Sequence, residues 1–248
     1  MSMRKFGLIG YPLSHSFSKK YFTHKFEAEG IEAEYLNFPI ESLEELDDII
    51  RSEPELVGLN VTIPYKTSII PLLNNVAPCA LSIQSVNTVC IERIGNSWNL
   101  KGSNTDVIGF KESIAPYVKG HDQALILGTG GAAKAAFHVL EDFGLECNSV
   151  SRSPDDGDFT YDDLEPEDIW EHSIIVNCTP LGMFPNVNDA LDIPYEPITP
   201  EHVLFDMIYN PTETVFLKNG RIRGATTING LQMLERQAEE SWKIWNEM

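Results

Sequence analysis

The chain has 248 residues, enough for one or two domains with real cores, and its 42% hydrophobic and 22% charged residues are an ordinary globular mix that excludes long disorder. Its 37 acidic against 18 basic side chains leave a formal charge of −19. That balance argues against nucleic acid or an anionic membrane as partner, since both need a basic face. A small anion held by backbone N–H groups and one arginine stays compatible with it.

Residues 5–9 read as a strand, 14–30 as a helix, 34–40 as a strand and 43–51 as a helix. Residues 56–62 form a strand ended by Pro64, followed by a short helix at 65–73. Residues 86–92 and 97–101 read as a hairpin around the Gly95-Asn96 turn pair, and 104–117 as a helix. A second series follows: strand 123–127, helix 131–143, strands 146–151, 174–178 and 203–207, helix 213–219 and strand 222–225. A last helix at 230–247 carries apolar Leu231, Leu234, Ala238 and Trp242. The acidic, Pro/Gly-containing stretch 153–168 reads as a solvated connection. Alternating strands and helices imply an α/β protein with mainly parallel sheets. Two such series imply two α/β domains, 1–104 and 105–229.

Cys79, Cys90, Cys147 and Cys178 form no C-x-x-C pair and no zinc or disulfide spacing, and the histidines form no H-E-x-x-H, so no metal is expected. The opening MSMRKFGLIGYPLSHSF is too broken for a signal segment, and no apolar run reaches membrane length. A soluble, reducing, cytoplasmic setting is expected. Oligomeric state has no signal in the sequence.

The strand Ala124-Leu125-Ile126-Leu127 runs into Gly128-Thr129-Gly130-Gly131-Ala132-Ala133 and then a helix. This is G-x-G-x-x-A in the strand–turn–helix setting of a dinucleotide site. The first glycine allows the turn, the second lets a pyrophosphate approach, and the alanine allows close packing. At the tip of the next strand stands Val150-Ser151-Arg152-Ser153, with no acid to bind a ribose 2′-hydroxyl; Arg152 suits a 2′-phosphate. Asp155 and Asp156 follow and oppose that choice.

Three polar clusters lie at strand ends in the first half. Ser14 and Ser16 are either helix-capping serines or contacts for a carboxylate. Lys66, thrown past Pro64 in GLNVTIPYK, is either a solvated lysine or a proton shuttle. Asp106, beyond Ser85-Val86-Asn87-Thr88 and Asn104, is either a residue of the first helical turn or the partner of Lys66.

Taken in order, GYPLSHSFS, GLNVTIPYK, SVNTV, GSNTDVIGF, ILGTGGAAKAA, VSR, VNCTPLGM, FDMIYNPTET and NGLQMLERQAE resemble the shikimate dehydrogenase family over almost the whole chain. The resemblance implies NADP-linked interconversion of 3-dehydroshikimate and shikimate. It implies an N-terminal substrate domain, a Rossmann-like cofactor domain, a cleft between them, and a terminal helix (230–248) returning to the substrate domain. By matching positions, Ser14 and Ser16 hold the substrate carboxylate beside Tyr209. Thr62, Asn87 and Gln237 contact ring hydroxyls, and Lys66 and Asp106 flank the reacting oxygen. Gly128, Thr129, Gly130, Gly131 and Ala132 cradle the pyrophosphate. Ser151, Arg152 and Ser153 match the 2′-phosphate loop, and Ile208 and Gly230 line the nicotinamide. The chain departs from the family at Ser151, at the acids after Arg152, and at Lys19 and His24. Three alternatives remain: a quinate/shikimate dehydrogenase using NAD, a non-catalytic nucleotide-binding regulator, and a Rossmann-type methyltransferase.

Overall fold

The computed structural model describes residues 3–13 and 17–247, so Ser14 and Ser16 lie outside the described residues. In chain order the elements are β1 (Arg4–Gly10), α1 (Phe17–Glu29), β2 (Ala33–Pro39), α2 (Leu46–Ser52), β3 (Leu56–Val61), β4 (Asn75–Val76), α3 (Pro78–Ser82), β5 (Thr88–Ile94) and β6 (Ser97–Ser103). There follow α4 (Asp106–Ile114), β7 (Gln123–Leu127), α5 (Gly131–Asp142), β8 (Glu146–Ser151), β9 (Phe159–Thr160), α6 (Pro166–Glu171), β10 (Ile174–Asn177), β11 (Val203–Asp206), α7 (Val215–Ile222), β12 (Thr226–Ile228) and α8 (Leu231–Asn246). The chain divides into two units, Met1–Thr105 with Ala238–Met248, and Asp106–Gln237.

The first unit holds a mixed sheet in the order β2-β1-β3-β5-β6-β4. β1 pairs parallel with β2 and β3, while β5 and β6 form the antiparallel hairpin turned by Gly95 at φ 61°. One face buries Ile9, Ile50, Leu56, Leu59 and Val89. The other buries an aromatic cluster of Phe6, Phe22, Phe26, Tyr35 and Trp245. Gly58 on β3 is required there, because a Cβ at that position would lie 2.5 Å from the Trp245 ring.

The second unit holds an all-parallel sheet in the order β12-β11-β10-β7-β8-β9. Counting β7 as its first strand, the order is 3-2-1-4-5-6, that of doubly wound dinucleotide folds. Ala124–Leu127, Ile174–Val176 and Val203–Phe205 are all buried, as continuous apolar runs in a sheet covered on both faces must be. The order reverses between β7 and β10, so the ligand crevice of such a sheet opens beyond Leu127 and Asn177.

The structure differs from the sequence expectations in four places. No α-helix forms at 65–73, only a 3₁₀ turn at Ile70–Leu72, because Pro71 lacks the N–H a helix needs. The stretch 153–168 is not merely a connection: it contains β9, and it enters α6 at Pro166, whose N-terminus Glu165 and Asp168 close with a capping box. The last short strand sits at Thr226–Ile228, since α7 runs on to Ile222 and Gly224 turns the chain at φ 85°. On α8 the buried face carries Met233, Gln237, Ala238, Ser241 and Trp245, while Leu231 is exposed. The chain re-enters the first unit at Ala238 and leaves it after Thr105.

Candidate functional site

The glycine turn sits at the switch point of the second unit. Gly128 has φ 109°, a conformation closed to L side chains, and its N–H donates to the Val150 carbonyl at 2.8 Å. A Cβ there would also press on Thr179 Cγ2 at 3.2 Å. Gly130 is the N-cap of α5 and supplies no capping side chain, and a Cβ built on it meets nothing within 4 Å. Open space in front of a helix N-terminus of 12 residues is what a pyrophosphate needs. Buried Ala133 and Ala136 bring α5 close to the sheet.

Facing this turn across the strand order, buried Asp206 ends β11. Its Oδ1 accepts from Ile208 N–H at 2.9 Å and Asn177 Nδ2 at 3.0 Å, and its Oδ2 accepts from Thr214 Oγ1 at 2.5 Å. Burial pushes its carboxyl up to about 6 against these bonds. The Ile208 carbonyl accepts from Gly230 N–H at 3.0 Å. A Cβ on Gly230 would lie 2.1 Å from the Met207 carbonyl oxygen, so only glycine fits. Ile208 and Gly230 are thus joined, with Tyr209 next in the chain; burial raises the Tyr209 phenol above its ordinary value.

At the tip of β8, Ser151 is buried and its Oγ accepts from Ser153 N–H at 3.2 Å, while Arg152 is exposed. Asp158 is committed to Ser149, accepting from its N–H at 2.7 Å and its Oγ at 2.8 Å. Asp155 and Asp156 are exposed. At the start of α4, Asp106 is buried. One turn later, a Cβ on Gly109 would lie 2.6 Å from the Met233 carbonyl and 3.1 Å from Gln237 Cβ, so this glycine lets α4 and α8 meet backbone to backbone. Asp106 and Gln237 are carried by these two packed helices.

In the first unit, Thr62, Lys66 and Asn87 gather where β3 ends and β5 begins. The Val61 N–H donates to the Asn87 carbonyl at 2.8 Å, and the Val86 N–H donates to the Lys66 carbonyl at 2.7 Å. Gly10 makes room for Thr62, whose Cγ2 would lie 2.4 Å from a Cβ on it. The segment carrying Asn87 into β5 is steered by Gln84, left-handed at φ 52°. Gln84 closes α3 with bonds from its own N–H to Leu81 O and from Ser85 N–H to Ala80 O, a Schellman ending without the usual glycine.

Sequence reasoning missed a set of buried polar groups here. Tyr35 Oη donates to Asn60 Oδ1 at 2.7 Å, and burial holds its phenol protonated. Asn60 Nδ2 reaches Ser241 Oγ at 3.0 Å, and Thr88 and Thr105 complete the group. The signal that could have found them is a polar residue on an apolar face, Asn60 on β3 and Ser241 on α8, since buried polar groups persist only where they are bonded.

The sequence model of the shikimate dehydrogenase substrate binding domain matches residues 8–89. The NADP(+) shikimate dehydrogenase of Oleidesulfovibrio alaskensis is 36% identical, covering 97% of this chain and 88% of its own. That of Methanococcus maripaludis is 37% identical over 98% and 91%. The chain belongs to the shikimate dehydrogenase family. The structure of Thermus thermophilus shikimate 5-dehydrogenase, solved with NADP(H) and shikimate, superposes with a TM-score of 0.85 at 29% identity, covering 99% of this chain and 94% of that one. The family's fold, an N-terminal α/β substrate domain and a Rossmann-like domain, is the one seen here. Among the described residues no helix is long and apolar enough to cross a membrane, and no cluster of three or more His, Cys, Asp or Glu is arranged to hold a metal.

Proposed function

We propose that the protein is an NADP-dependent oxidoreductase that reversibly reduces 3-dehydroshikimate to shikimate, in the route to chorismate and the aromatic amino acids. The observation that carries this reading is the nearly full-length match to NADP(+) shikimate dehydrogenases, with Lys66 and Asp106 standing in the family motifs NVTIPYK and GSNTD. Cys79, Cys90, Cys147 and Cys178 are all free thiols, which supports a reducing, cytoplasmic setting.

The open space before Gly130 and the left-handed Gly128 fit a dinucleotide pyrophosphate, which Gly128 admits by its turn and which the N–H groups of Thr129 to Ala132 hold. Ser151, Arg152 and Ser153 take the 2′-phosphate, and Ile208 and Gly230 border the nicotinamide. NADP, when bound, supplies the hydride acceptor or donor. Ser14, Ser16 and Tyr209 hold the substrate carboxylate, and Thr62, Asn87 and Gln237 its hydroxyls, so that one ring carbon is presented. Lys66 takes the hydroxyl proton during oxidation and returns it during reduction, and Asp106 orients the same hydroxyl. The proton is assigned to neither residue alone.

A second reading, a quinate/shikimate dehydrogenase using NAD, is favoured by Asp155 and Asp156 just after Arg152. The test is to incubate purified protein with shikimate and NADP+ and identify the products. Equal amounts of 3-dehydroshikimate and NADPH are expected. A folded protein that forms neither refutes the proposal.

A further inference from the structure

We propose that Ser241 is a positioning residue for substrate binding: it closes a ring of hydrogen bonds that fixes the side-chain amide of Asn87. The inference rests on the reading of Asn87 as a contact for a shikimate hydroxyl. Every member of the ring belongs to the first unit.

The orientation of the Asn87 amide follows from one backbone group. The Thr105 N–H can only donate, and it points at Asn87 Oδ1 from 2.7 Å. The other end of the amide is therefore nitrogen, and Nδ2 donates to Thr105 Oγ1 at 3.0 Å. The Thr105 hydroxyl has Ser241 Oγ at 3.1 Å, Ser241 has Thr88 Oγ1 at 2.8 Å, and Thr88 Oγ1 donates back to Asn87 Oδ1 at 3.1 Å. Thr105 Oγ1 also lies 3.2 Å from Asn87 Oδ1 and 3.3 Å from Thr88 Oγ1; passing its proton to Ser241 at 3.1 Å, the shortest of the three, gives a ring running Asn87, Thr105, Ser241, Thr88, Asn87. Each hydroxyl in it both gives and accepts, and such one-way chains strengthen their members.

Asn60 Nδ2 donates to Ser241 Oγ at 3.0 Å from outside the ring and so fixes the position of that oxygen. Asn87, Thr88, Thr105 and Ser241 are all buried, so water does not substitute for a missing member. Among the described residues Asn87 Nδ2 uses one of its two hydrogens, and the second remains to meet a ligand oxygen. Without Ser241 the Thr105 and Thr88 hydroxyls are left with their longer direct contact at 3.3 Å and with Asn87 Oδ1, at 3.2 and 3.1 Å. The Thr105 N–H still sets which end of the amide is nitrogen, but the ordered ring that strengthens the bond from Nδ2 to Thr105 Oγ1 is gone, so the amide is held less firmly.

The experiment is a double-mutant cycle of Ser241→Ala and Asn87→Ala, read as KM for shikimate and for NADP. Wild-type turnover of shikimate, measured first, tests the functional reading; the cycle tests the ring. Ser241→Ala should raise the shikimate KM about 5- to 10-fold, the worth of about one hydrogen bond. The NADP KM should hold, and adding Ser241→Ala to Asn87→Ala should change little. Ser241→Thr, which keeps the hydroxyl, should restore most of the affinity. Should Ser241→Ala not fold, Thr88→Val opens the same ring at the next link and must give the same split. An unchanged shikimate KM, an equal loss for NADP, or effects that simply add would overturn the proposal.

Discussion

Replacing Asp206 with asparagine should remove a pH dependence from the stability of the protein. The Asp206 carboxylate is fully buried, and desolvation outweighs its three donors to lift it from 3.8 to about 6. Its folded value thus lies above its unfolded one, so its contribution is most favourable below about pH 4. It declines as the pH rises through 6 and is level above. A shift of roughly two units corresponds to about 3 kcal/mol. Asparagine stays neutral throughout, keeps an acceptor for Ile208 N–H and Asn177 Nδ2, and offers Thr214 a donor. Urea unfolding of wild type and Asp206→Asn at steps from pH 3.5 to 7.5 cancels the titration of the other carboxylates. The wild-type stability minus the variant's should fall by about 3 kcal/mol across that range, mostly between pH 4 and 6. A flat difference refutes the reasoning, and a rising one would mean that the three hydrogen bonds, not burial, set the carboxyl.

Lys66→Ala should lower kcat by about 100-fold or more, the scale of one general acid–base, with a smaller change in shikimate KM; near-wild-type kcat in folded protein would remove Lys66 from the chemistry. Arg152→Ala should raise KM for NADP about 10- to 150-fold, the worth of a charge-assisted contact, and leave NAD nearly unchanged. Equal weakening of both cofactors would leave Arg152 only a stacking role. Changing Asp155 and Asp156 to asparagine together should tighten NADP modestly, and because both acids are exposed, added salt should erase the gain. Gly230→Ala drives a Cβ against the Met207 carbonyl, so both Tm and NADP affinity should drop; an unchanged Tm would mean that the 206–209 segment yields freely.

Elements whose signal is local were legible in the sequence. Ala124–Leu127, Ile174–Val176 and Val203–Phe205 are buried on both faces, so they are apolar without interruption and announce a parallel sheet. The glycine turn was legible because Gly128 must be glycine for its backbone angle. What was hidden depends on long-range pairing. α8 reads as a stripe through Leu231, Leu234 and Trp242, yet it buries Gln237 and also Ser241, whose partners Thr88 and Thr105 lie far away in the chain. Asp206 looked like a residue in a motif, and only its burial beside Asn177 and Thr214 shows that it organises the segment carrying Ile208 and Tyr209. The acidic run after Arg152 looked uniform, whereas the fold commits Asp158 to Ser149 and leaves Asp155 and Asp156 in solvent.

NADP-linked shikimate oxidation is measured most directly as kcat/KM for shikimate and for quinate, each with NADP and with NAD. Shikimate with NADP should exceed the other three pairs, and the preference for NADP should shrink in Arg152→Ala. A wild-type preference for quinate with NAD would make the protein a quinate dehydrogenase instead.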